Sequence, residues 1–202
     1  MQFHPIHPVN HIHLRIAEKV FSEAEDFAWL DTKTPQNAFL CCVGSGPWKY
    51  TRRWNVINAA LDWGKDKVFH LDDFQEIYPL TWQNSMLHSA MSYSKSNAFN
   101  FNEYFYLTKE QPPADWKSEI FKVFDIAGCP QGSKVLWLFI RDYLKLPSFP
   151  IDRHVARRLD EFGLPQNPWA LIDICLVLGL DPRKVAKRLV QDHVVNPEIN
   201  LG

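Results

Sequence analysis

Two residues of this chain have the types and spacing to do chemistry together: Lys134, a primary amine, and Asp152, a carboxylate eighteen positions further on. A lysine amine attacks an electrophilic carbon only when neutral, which requires burial to bring its pKa down from about 10.4. A carboxylate beside the reacting carbon stabilises positive charge as it develops. Eighteen residues make room for one helix of about 12 to 14 residues and a short return loop, so the carboxylate can come back towards the amine. Basic side chains follow, with Arg153, Arg157 and Arg158 after Asp152 and Arg183, Lys184, Lys187 and Arg188 near the end of the chain. Either set fits phosphate contacts or a solvated, salt-bridged helix face.

The elements that must position these residues are helical. Apolar residues recur at spacings of three and four, while period-2 alternation rarely outlasts four residues, so the chain reads as all-α. Asn10 is expected to cap a first helix carrying Leu14, Ile16, Val20 and Phe21 and ending near 26–30; a second runs from Pro35 to about Val43. Helical spacing resumes over 48–63 after the turn at 44–47, and shorter helices are expected over 71–78, 81–94 and 99–107. From residue 116 the pattern sharpens into a helix over 116–126, a tight turn over 128–132 and a second helix over 133–146. Pro147 and Pro150 then force an extended link, and Asp152 stands where an N-cap belongs before a helix over 153–162. Helices over 169–178 and 182–193 follow, the latter capped by Asp181 with Pro182 in its first position.

Gly132-Ser133-Lys134-Val135 and Phe149-Pro150-Ile151-Asp152-Arg153-His154-Val155 resemble the two halves of the signature of the helix-hairpin-helix (HhH-GPD) DNA glycosylase superfamily. The resemblance covers about 116–164; small size and the Lys/Asp pair are most similar to the bifunctional 8-oxoguanine DNA glycosylase/AP lyase branch. It implies an all-α, two-lobed fold with the active site in the interlobe cleft. One lobe would be 31–146, ending in the hairpin, and the other 1–30 with 147–202, carrying the catalytic aspartate. The implied activity is that of a base-excision repair N-glycosylase with AP lyase activity, removing an oxidised base, with 8-oxoguanine favoured. Lys134 would attack C1′, displace the base and form a Schiff base, from which proton abstraction eliminates the 3′ phosphate. Asp152 would stabilise the oxocarbenium-like charge on the sugar.

The resemblance further implies that Gly128, Gly132 and Ser133 bind the DNA backbone through the hairpin turn, with Arg153 and His154 alongside; Asp152-Arg153-His154 is similar to the family's D-x-H. Where the family has a second glycine two residues before Gly132, this chain has Pro130, which lacks an N–H and is expected to reshape the turn and weaken its phosphate grip. Trp48 and Tyr50 fall roughly where relatives supply the wedge that replaces a flipped nucleotide, with core packing as the alternative. Trp137 and Phe139 read as core. Many relatives carry an iron-sulfur cluster on four C-terminal cysteines; here Cys175 alone lies beyond Asp152, so no cluster and no other cofactor or metal is expected. The implied partner is double-stranded DNA containing a damaged base or abasic site, bound by a monomer. Two other readings fit the same residues: a catalytically silent helix-hairpin-helix DNA-binding protein, and a monofunctional glycosylase using water.

Composition bounds these readings. A formal net charge of -1 excludes a strongly basic non-specific DNA coater, so any nucleic-acid site must be local. Cys41, Cys42, Cys129 and Cys175 form no CxxC pair and read as reduced thiols. His4, His7, His11 and His13 match no common metal-ligand spacing. Met1 to Asn10 lacks a leader-like apolar core, and no window approaches the roughly 18 apolar residues of a spanning helix. The expectation is an intracellular protein, cytoplasmic and nucleoid-associated, with no membrane partner.

Overall fold

The computed structural model describes residues 3–25, 30, 34–35, 38–39, 42, 101–126 and 134–195. Among these residues the chain is all-helical, without strands, as the apolar spacing predicts. The bounded helices are α1 (His11–Val20), α2 (Phe101–Glu110), α3 (Trp116–Ile126), α4 (Lys134–Asp142), α5 (Arg153–Phe162), α6 (Pro168–Val177) and α7 (Pro182–Val195). Two compact units result, one formed by Met1–Ala28 with Ile140–Gly202 and the other by Trp29–Phe139. The division falls within α4.

In the first unit α6 is the centre. Its sequence is apolar on all sides, and Leu171, Ile172, Ile174 and Cys175 are buried. It packs against α1 and α7, and α7 also packs against α5. The amphipathic α5 buries Val155 and Leu159, one turn apart on a single face. Buried within α6 is one carboxylate, Asp173, which accepts hydrogen bonds from the Ile6 and His7 backbone N–H groups (2.8 and 3.2 Å) and from His7 Nδ1 (2.9 Å). These bonds satisfy a charge that would be costly if left alone, and they fasten the N-terminal segment to the central helix.

Local signals set several helix ends. Asn10 Oδ1 accepts from Ile12 N–H, and Asn167 Oδ1 accepts from Trp169 and Ala170 N–H, with Pro168 in the first helical position. Gly163 and Gly179 close α5 and α6 in left-handed conformations (φ 69° and 71°). Each is followed by the hydrogen-bond pair of a Schellman motif: Gly163 to Asp160 with Leu164 to Leu159, and Gly179 to Leu176 with Leu180 to Cys175. A Cβ at Gly163 would meet nothing within 4 Å, so strain there is purely backbone. Gly163→Ala is expected to lower unfolding free energy by about 1 kcal/mol, the left-handed penalty less the entropy saved in the unfolded chain. Denaturant unfolding checks this; an unchanged midpoint would mean that the cap is not held in its left-handed form.

Two helices end earlier than the sequence predicts. α1 stops at Val20 because residues 21–25 make tertiary contacts instead: Phe21 packs on Phe149 (6.0 Å between centroids), Ala24 N–H donates to the Lys184 carbonyl, and Glu23 accepts from Asp181 N–H. α4 stops at Asp142, with Lys145 left-handed (φ 58°) and its carbonyl held by Arg183 Nη1 at 3.0 Å. In the second unit the core is aromatic. Phe139 takes Phe39 and Phe105 edge-on (5.6 and 5.1 Å), and Phe121 meets Trp137 at 5.4 Å. Trp137 and Phe139 are core residues, as their spacing suggests.

Candidate active site

Lys134 is the first residue of α4, and Val135 to Asp142 behind it are all buried. Lys134, half-buried, is thus the one residue of this helix that is not fully packed away. A cation in the first turn works against the helix dipole, and no acidic residue stands in that turn to offset it. Lys134 therefore stands at the start of an otherwise enclosed helix.

Asp152 is the N-cap of α5, in extended backbone (φ -102°, ψ -179°). Its Oδ1 accepts both cap bonds, from His154 N–H and Val155 N–H, each at 2.9 Å. Concentrating both bonds on one oxygen fixes the plane of the carboxylate. The sequence Phe149-Pro150-Ile151 leads into it with Phe149 and Pro150 buried, so the approach is constrained as well.

Around Asp152 the structure places Arg153 exposed at the start of α5, with Nε donating to His154 Nε2 at 3.2 Å. Arg158 pairs with Glu161 (2.8 Å) and lies over the Phe162 ring (5.2 Å), while Arg157 pairs with the same carboxylate at 3.3 Å. The solvated, salt-bridged face accounts for Arg157 and Arg158. Gly128, Gly132, Ser133, Trp48 and Tyr50 lie outside the described residues, as do the turn at 128–132 and the helices expected over 48–94.

The last helix is anchored at its start. Arg183 donates from Nε and Nη2 to the Asp181 carboxylate (shortest contact 2.6 Å) and from Nη1 to the Lys145 carbonyl, and Asp181 Oδ1 also accepts Arg183 N–H. Partial burial alone would raise the Asp181 carboxyl. The hydrogen bond and charge of Arg183, with Lys184 adding its charge, outweigh that and hold the group below its ordinary value. Arg183 is consequently a structural clamp, a role that depends on Lys145 being nearby and so is invisible in local spacing. Cys175 is buried in α6; burial pushes its thiol up, and the charges of Asp181 and Glu23 push it further, which disfavours the thiolate.

Among the described residues no group of three or more His, Cys, Asp or Glu side chains is placed to hold a metal ion, and no helix is long and apolar enough to cross a membrane. Comparison with protein-family models, curated proteins and solved structures finds no match.

Proposed function

We propose that this chain is a DNA N-glycosylase with AP lyase activity, a two-lobed helix-hairpin-helix enzyme that removes an oxidised base, 8-oxoguanine favoured, from duplex DNA. The supporting observation is that its two reactive groups each stand at the opening of a helix. Lys134 is the one residue of α4 that is not buried, and Asp152 is fixed as the cap of α5.

The chemistry then runs in balanced steps. Neutral Lys134 Nζ forms a bond to C1′ as the N-glycosidic bond breaks, and the electron pair leaves with the base. Asp152 stabilises the positive charge passing through the sugar. Loss of the amine proton and cleavage of the C1′–O4′ bond, with O4′ taking up a proton, give an iminium between Nζ and C1′. Abstraction of a C2′ proton then expels the 3′ phosphate by β-elimination.

Borohydride reduction tests this, since it converts the iminium to a stable amine. Duplex oligonucleotides carrying 8-oxoguanine or an abasic site are expected to become covalently joined to the native protein and not to Lys134→Gln. If no adduct forms on either DNA, the bifunctional mechanism is overturned. Base release surviving in Lys134→Gln would then identify a water-using glycosylase, and DNA binding without base release a silent binder.

A further inference from the structure

The first unit contains a cavity of about 350 Å³ between the N-terminal segment and the start of α6. None of the residues given catalytic roles above lines it. Its polar lining comes from His7, Asn10, His13, Asn167, Trp169 and Asp173, and the remaining walls are proline and aliphatic side chains.

The hydrogen bonds already made decide what these groups can offer a ligand. Asn10 and Asn167 each turn Oδ1 towards their own helix, which leaves the Nδ2 amide of each as its donor. His7 Nδ1 is engaged by Asp173 at 2.9 Å, which leaves Nε2 as the ring's remaining polar atom. Asp173 takes three N–H donors in all, and no lysine or arginine lines the space, so neither an anion nor a cation is matched by charge. Trp169 adds an aromatic surface.

Two amide donors, two imidazole rings and an indole in a largely apolar hollow complement a flat heteroaromatic ring bearing carbonyl oxygens and a ring N–H. We propose that this cavity is a binding site for a free nucleobase or nucleoside of the oxopurine type, held by Asn10, Asn167, His7 and Trp169. Its volume is at the lower end of the roughly 300–1,000 Å³ usual for small-molecule sites, which suits one such ring system. The site is independent of the glycosylase reading and stands or falls separately from it.

Inosine is the probe, titrated by calorimetry against the whole chain, with 1-methylinosine, which lacks the ring N–H, and indole, which lacks the carbonyl, as comparisons. Saturable inosine binding is expected, about tenfold weaker for 1-methylinosine because one hydrogen bond is lost. Asn167→Asp keeps an oxygen to cap α6 but removes the amide donor. It should melt like the native protein and bind inosine at least about tenfold more weakly; Trp169→Ala should also weaken binding. The proposal is overturned if inosine shows no saturable binding, if Asn167→Asp binds it unchanged, or if indole binds as tightly, which would make the cavity a merely apolar hole.

Discussion

Asp152→Asn is expected to leave the fold intact while cutting base excision by about 10²–10³-fold, the usual loss when one preorganised electrostatic contact to the transition state is removed. The substitution separates the cap at this position from the electrostatic role proposed for it. Both cap bonds fall on Oδ1, and asparagine presents an oxygen in the same place. Asparagine and aspartate are equivalent caps, so stability should change by only a few tenths of a kcal/mol from the lost charge at the helix N-terminus. Asp152→Ala removes cap and charge together and should cost about 1 kcal/mol of stability in addition. Single-turnover excision from an 8-oxoguanine duplex, read beside denaturant unfolding of both variants, makes the distinction. If Asp152→Asn excises as fast as the native protein, the carboxylate is a cap and nothing more.

What could be read from the sequence depended on how local each cause is. The α5 segment is the clearest case: Asp152, the apolar pair Val155 and Leu159, and Gly163 are all within the element, and its bounds, Arg153–Phe162, follow from them. α3 likewise coincides with its expected 116–126 span. Asn167 followed by Pro168 was also a readable start signal, and it places α6 one residue before the expected position. By contrast, the sequence predicts that α4 continues to 146, whereas it ends at Asp142. Its actual end reflects a left-handed Lys145 whose carbonyl is held from residue 183, and no local pattern encodes that partner. Asp173 was overlooked for the same reason. A carboxylate in an apolar helix gives no sign that the backbone of Ile6 and His7 will satisfy it. The proposed Lys134/Asp152 pair stands out in the sequence through its resemblance to a family motif, whereas the cavity lined by Asn10 and Asn167 requires the fold, since each asparagine alone is an ordinary cap.

The other large effect expected is on stability, at the C-terminal end of α4. Arg141 Nε donates to Asp142 Oδ1 at 2.6 Å and Nη2 to Oδ2 at 3.0 Å, a two-pronged pair in which the residues are only 6% and 3% exposed. An aspartate in the last turn opposes the helix dipole and a buried carboxylate opposes desolvation, so Asp142 is tolerable there only with a cation against it. The guanidinium matches both carboxylate oxygens at once, which lysine could not do. Asp142→Leu would strip the two-pronged carboxylate from a buried arginine and should cost about 3–5 kcal/mol, a large share of the roughly 5–15 kcal/mol that holds a typical domain together. Removing both charges, in Arg141→Met with Asp142→Leu, should recover most of that loss, because the desolvation of two ions disappears along with their attraction. Denaturant unfolding of the single and double variants gives the coupling directly. If Asp142→Leu alone unfolds within about 1 kcal/mol of the native protein, Arg141 is satisfied without this carboxylate and the pair contributes no more than a surface salt bridge. A large single-variant loss with recovery in the double variant would show that this charge pair is required only because both ions are buried together.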